Sequence, residues 1–430
     1  MVGALPSAAV PTSIHLAERT RRHIALRLLP FLFTLYIANY IDRTNLAYAA
    51  LGMTRDLGFN DRIIGLGVGI FFITYVAGQI PGALLVERWS ARRMISTCMI
   101  SWGLLTVLTT AVHTPGELYL VRFALGAAEA GFFPGVVVYL SHWFMREDRA
   151  KASSNFMSAI PVSFVIGSPL AGWILGHPWL GLAGWRWLFV LEGIPAIVLG
   201  AVSFFFLTDW PHEAAWLAPA QREWIEDRLR EEAPAVSQKN SIWEALRSRP
   251  VLVLAGSTFL SYLMLYSFAF WIPTMLKSIS GEADFRVGVL GAVPYFVTFV
   301  VMQINGWHSD RTGERRWHSA VPLFVAALGA LGLIGRPHSL FVLVALFTLG
   351  ANLYSYLPIF WSIPTETLSQ SMAAAAVGLI NSVGSIAGFA GPYAFGYLHT
   401  ETGSFTYGLA GLAVAAVAGG TMILLAPRGA

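Results

Sequence analysis

Twelve apolar runs of about twenty residues recur along the chain, each long enough to carry a helix across a ~30 Å bilayer core. They lie near 27–48, 63–85, 93–112, 117–140, 153–174 and 187–207, then near 250–272, 287–306, 318–335, 339–362, 372–393 and 404–426. The polar stretch 208–249 divides them six and six. Composition agrees: 12% of residues are charged, where a soluble domain has about a quarter. The expectation is an all-α integral membrane protein of twelve transmembrane helices in two six-helix halves. The parts are a tail over 1–26, a first half over 27–207, a linker over 208–249 and a second half over 250–430.

An even span count puts both termini on one side. Lys and Arg choose the side. The N-terminal tail, the loops after even-numbered spans and the C-terminus hold 20 of the 28. The loops after odd-numbered spans hold Arg55, Arg62, Lys277, Arg286 and Arg336. The positive-inside rule then predicts cytoplasmic termini and a cytoplasmic linker in a bacterial-type inner membrane. The first 25 residues are polar and basic, so no cleaved signal is expected. The net charge of +4 suits basic loops against anionic lipid and gives no case for nucleic acid. Cys98 is the one cysteine, so no intramolecular disulfide forms, and no His or Cys cluster suggests a metal. In the linker, Pro219 to Glu232 interleaves acids and bases at helical spacing, which reads as a short solvated helix.

Charge inside a span costs on the order of 3 kcal/mol or more and normally faces protein or a water-filled cavity. Two spans carry it deeply. Span 1 holds Asp42 and Arg43, and span 4 holds Arg122 and Glu129. The latter two are seven residues apart, within roughly 20° on one helical face. At ~1.5 Å per residue, Asp42, Arg43 and Arg122 fall in the outer half, with Glu129 and Tyr75 ~18 Å in, near the midplane. Arginine stays charged and presents a planar fork that fits a carboxylate. A buried carboxyl can take up and release a proton, because desolvation favours its neutral form and a nearby arginine its ionised form. Together they make a plausible anion site with its own proton carriers. The bland alternative is a set of structural ion pairs. Glu192, near the outer end of span 6, reads as structural, and His308 as interfacial.

The two halves repeat. Ala83 to Arg93 reads ALLVERWSARR and Gly306 to Arg316 reads GWHSDRTGERR, both in the loop after the second span of their half. That is the pseudo-symmetry of a twofold transporter built from parallel repeats. The repeated loop resembles the signature of the major facilitator superfamily, which implies a gating role for Glu87, Arg88, Asp310 and Arg311. The first copy departs from it at Ala83, Glu87 and Ser90, with size and charge kept.

Within that superfamily, Tyr40 to Ala49 (YIDRTNLAYA), Arg122 to Pro134 (RFALGAAEAGFFP) and GWRWLFVLEGIPA resemble the anion:cation symporter family, above all its bacterial tartrate-type branch. The resemblance implies proton-coupled import of a small organic anion such as tartrate, a sugar acid or phthalate. It implies Asp42 and Glu129 as proton-coupling acids and Arg43 and Arg122 as anion-holding bases. Tyr75, Tyr40, Asn381 and Trp361 would face the substrate, and a monomer would suffice. The implied partners are the anion, protons and membrane lipid, with no cofactor and no enzymatic chemistry. No P-loop or membrane-embedded nucleophile set is evident. An exporter of anionic metabolites on the same fold, or a membrane sensor that binds without transporting, are the competing readings.

Overall fold

The computed structural model describes residues 10–232, 247–334, 340–367 and 370–426. The first half opens with α1 (Val10–Leu57), α2 (Asp61–Arg88) and α3 (Ala91–Leu108). Two broken rods follow, α4 (Pro115–Glu129) with α5 (Phe132–Trp143), then α6 (Arg146–Met157) with α7 (Ala159–Leu175). α8 (Gly184–Phe206) completes it, and α9 (Pro219–Glu231) is the linker helix. The second half runs α10 (Arg249–Ser280), α11 (Asp284–Thr312), α12 (Arg316–Gly332), α13 (Leu340–Leu353) with α14 (Leu357–Thr367), α15 (Gln370–Thr402) and α16 (Thr406–Leu425). Counting each broken rod once, six rods lie on either side of α9, as the apolar runs predict. Among the described residues nine helices are long and apolar enough to cross a membrane.

The first helix begins earlier than its apolar run. Residues 10–26 are rich in polar and basic side chains, yet α1 is continuous from Val10 because its extension packs on neighbouring segments. Arg21 pairs there with Glu147 and Asp148, and the His23 ring meets Trp216 at 5.4 Å. Both α1 and α8 stack on the linker: the Arg27 guanidinium lies 4.6 Å from the Phe206 ring and 4.9 Å from that of Trp216. This side of the molecule is the linker end.

The repeated loops are built differently. In the second copy Gly313 takes φ +68°, a left-handed turn that only glycine adopts cheaply. In the first copy Ser90 is extended and caps α3 through its hydroxyl, which accepts from Arg93 N at 3.0 Å. Asp209 then accepts from Ser90 Oγ at 2.6 Å and Arg92 N at 2.9 Å. A serine therefore serves where the family pattern has glycine.

At the far end, away from the linker, the halves close on each other through glycines. A side chain on Gly172 would stand 2.5 Å from Asp284 O, and one on Gly288 2.3 Å from Ser168 O. These contacts seal α7 against α11. Gly65 on α2 lies as tightly on Pro392 O of α15, at 2.8 Å. Polar bonds cross the same seam: Asp61 pairs with His399, and Arg62 N donates to Thr400 Oγ1 at 3.0 Å. Among the described residues no ion pair joins the halves at the linker end.

Candidate functional site

Asp42 and Arg43 are neighbours on α1, so their side chains leave the helix about 100° apart and find different partners. Arg43 crosses to α4, where its Nε lies 3.0 Å from Glu129 Oε2. Asn39, one turn earlier on the same face, donates Nδ2 to that oxygen at 2.9 Å. Asp42 turns toward α3 instead. Its Oδ1 accepts from Thr106 Oγ1 at 2.6 Å and from Asn45 Nδ2 at 3.2 Å. Both acids are wholly buried. Asp42 Oδ2 and Glu129 Oε1 have no hydrogen-bond partner, and the two carboxyls interact with each other.

The two arginines are not equivalent. Arg122 is buried, its guanidinium 4.7 Å from the Phe71 ring and its Nε 3.4 Å from Gly67 O. No carboxylate among the described residues lies within ion-pair distance, and its charge is met at longer range by Asp42 and Glu129. Arg43 keeps 14% of its side chain exposed and uses only Nε in its ion pair. Its terminal nitrogens make no hydrogen bond among the described residues. Arg43 is thus able to meet an incoming ligand, while Arg122 is held behind Phe71.

Tyrosines floor this cluster. The Arg43 guanidinium lies 4.4 Å from the Tyr75 ring and 5.5 Å from that of Tyr40, within cation–π range. The second half contributes Tyr266 on α10, which faces Arg43, Tyr40 and Tyr75 and packs on Phe72 at 4.7 Å. Tyr262, one turn away, lies 5.5 Å from Tyr266. Tyr354, at the break between α13 and α14, faces Tyr40 and both of these tyrosines.

Asp42, Arg43, Glu129, Tyr40 and Tyr75 therefore come together as the sequence suggests, with Arg122 behind them. Asn381 and Trp361 stand apart from the charged cluster. Trp361 meets the Tyr262 side chain, and Asn381 shares a face of α15 with Gly384 and Gly388, which admit Tyr262 and Phe72. No hydrogen bond or ring contact joins either residue to Arg43. Of the loop residues, Asp310 pairs with Arg315 at 2.5 Å and Arg311 lies 5.4 Å from the Trp307 ring. The side chains of Glu87 and Arg88 lie outside the described residues. Among the described residues no three His, Cys, Asp or Glu side chains converge as metal ligands.

Sequence reasoning missed Asn39, Tyr262, Tyr266 and Tyr354. Asn39 precedes Arg43 by four residues, the spacing of one helical face, and was findable. The tyrosines carry no charge to mark them.

The major facilitator superfamily model matches residues 32–392. Among curated proteins, one from Agrobacterium vitis, provisionally named a tartrate transporter, is 40% identical over 396 residues, 92% of this chain and 88% of its own. A quinolone resistance transporter of Acinetobacter baumannii is 35% identical, covering 90% of each chain. The inner membrane transport protein RhmT of Escherichia coli is 34% identical, covering 93% of each. Among solved structures, a D-xylose–proton symporter superposes with a TM-score of 0.73 at 12% identity, covering 94% of this chain and 98% of the other. A bacterial homologue of the lysosomal transporter Spinster gives 0.72 at 19% identity, covering 95% of each.

Proposed function

The chain belongs to the major facilitator superfamily, a multi-pass membrane transporter and not an enzyme, and from that premise we propose that it is a proton-coupled importer of a small organic anion. The substrate class is a carboxylate such as tartrate, a sugar acid or phthalate. One observation carries the reading: the partly exposed Arg43 is held by a buried carboxylate, Glu129, that an incoming carboxylate can replace.

The two events exclude each other unless a proton intervenes. With Glu129 ionised, Arg43 is committed to it. With Glu129 protonated, the pair loses its charge attraction and Arg43 is free to grip the substrate. Proton and anion thus bind together. Once the anion leaves, Arg43 returns to Glu129 and the proton is released. Asp42 offers a second proton site one helix face away, held by Thr106 and Asn45. The tyrosines of both halves supply hydroxyls for a polar substrate. The far-end seal, with Arg43 partly exposed, fits a form open toward the linker end. Rocking of the halves about the central site would alternate access, with the linker end cytoplasmic.

The test is uptake into proteoliposomes under an inward proton gradient, with labelled tartrate, galactonate, gluconate and phthalate. Accumulation of one anion, collapsed by a protonophore, is expected. Silence across the panel from folded protein would refute import of these anions. The resemblance to a quinolone resistance transporter favours export as the second reading, which loss of preloaded substrate under the opposite gradient would reveal.

A further inference from the structure

We propose that Glu192 is a third proton-carrying carboxyl of this transporter, loading protons at the far end and passing them to Asp42. The proposal rests on the proton-coupled reading above and adds the port through which protons enter.

Charge is the first ground. Among the described residues the interior of the first half holds three acids, Asp42, Glu129 and Glu192, against two bases, Arg43 and Arg122. Three ionised carboxylates would leave a net negative charge inside the bilayer, so one proton resides among them even without substrate.

Position is the second. Glu192 is 8% exposed and sits on α8, packed against α1, about 12 Å from the far-end start of its helix. It faces Asn45 and Asp42 on one side and Tyr48 on the other. Among the described residues Asp42 and Tyr48, both on α1, are the ionisable groups that face it. The Asn45 amide stands between the two carboxyls, with Nδ2 3.2 Å from Asp42 Oδ1.

The third ground is a file of buried polar groups. Tyr48 Oη faces Ser168 Oγ, Glu192 faces the Asn45 amide, and Asp42 Oδ2 and Glu129 Oε1 continue the file to Arg43. A contiguous file of hydroxyl, amide and carboxyl groups inside the membrane is the kind of network along which protons move.

The track has a lid. A side chain on Gly291 of α11 would lie 2.8 Å from Tyr48 Oη, and α11 rests on Ser168 O through Gly288. The seam between α7 and α11 thus covers the far-end mouth of the file. When the seam parts, Tyr48 and Ser168 meet far-end water and Glu192 takes a proton. The O–H bond on Glu192 then breaks as one forms on Asp42, which returns Glu192 to the carboxylate. With the seam shut, protons leave only through Glu129.

The test compares Glu192→Gln and Glu192→Asp with the parent protein. Infrared titration of the purified full-length chain reads protonated carboxyls without requiring transport. E192Q is expected to lose one titrating carboxylic-acid band and E192D to retain it. In proteoliposomes with labelled tartrate, E192Q is expected to keep counterflow while far-end proton-driven uptake falls more than about tenfold and loses its dependence on external pH. An E192Q infrared titration matching the parent overturns the proposal. So does an equal loss of counterflow and driven uptake, the mark of a merely structural residue. If the parent shows no proton-driven tartrate uptake, the symport reading of tartrate fails and the infrared titration alone decides Glu192.

Discussion

Replacing Glu129 by Gln separates the charge of this residue from its shape. Glutamine can still accept from Asn39 and Arg43, whose nitrogens lie 2.9 and 3.0 Å from Glu129 Oε2. It offers neither a negative charge nor a proton to release. A charge-assisted hydrogen bond is worth ~1.5–3 kcal/mol and a neutral one ~0.5–1.5. The difference, ~1–1.5 kcal/mol, is what an incoming carboxylate no longer has to displace, and it corresponds to about tenfold in affinity. E129Q is therefore expected to bind the anion about tenfold more tightly than the ionised parent. That affinity should stay flat as pH rises, where the parent's falls. Counterflow should persist and uphill accumulation should vanish. The assay is counterflow at several pH values, paired with uptake under an imposed proton gradient. An E129Q protein that still concentrates substrate, or whose affinity keeps the parent's pH dependence, would refute the competition between Glu129 and substrate for Arg43.

Arg43→Ala should weaken anion binding by more than about a hundredfold, since two charge-assisted bonds are lost, and Arg43→Lys should recover only part of it because lysine lacks the planar fork; calorimetric titration of both variants measures this. Gly288→Ala puts a methyl 2.3 Å from Ser168 O and should hold the far-end seam open. Thiol labelling of a His399→Cys reporter, in a background without Cys98, should then rise relative to the parent seam, and unchanged labelling would show that the seam does not gate. Glu314, outside the membrane, caps α12. Burial pushes its carboxyl up, but hydrogen bonds from the N–H groups of Trp317, His318 and Arg316, with the His318 ring, hold it below the usual range. A depressed folded-state value gives stability that is present above the unfolded value and lost as pH falls through the folded one. Glu314→Gln should accordingly lower the melting temperature at neutral pH, with the gap to the parent closing below about pH 4.5.

The rods were legible in the sequence because span length is a one-dimensional signal that survives folding. Their ends were less so: α1 continues to Val10 because nothing requires a helix to stop at the membrane surface, and polar residues can extend it against the linker. The charged residues were legible because charge in an apolar run has few bland explanations. Their pairing was not. Adjacency suggests Asp42 with Arg43, yet a 100° turn between neighbours gives Arg43 to Glu129 and Asp42 to Thr106. At Glu192 depth gives only the height in the span, and the turn of its side chain toward Asp42 and Asn45 comes from the fold. Tyr262 and Tyr266 were hidden for another reason. They are two aromatics in an aromatic-rich span, and only the docking of the halves brings Tyr266 to Arg43 and Tyr262 to Tyr40.

If anion and proton move together, protons must appear wherever the anion arrives. Proteoliposomes loaded with a pH-sensitive dye, with no gradient imposed, would receive an inward gradient of tartrate or of another anion from the panel. Acidification of the lumen is expected to follow the anion in, to stop in Arg43→Ala and to disappear in Glu129→Gln although the latter still exchanges substrate. Entry of the anion with no change in luminal pH would contradict this coupling.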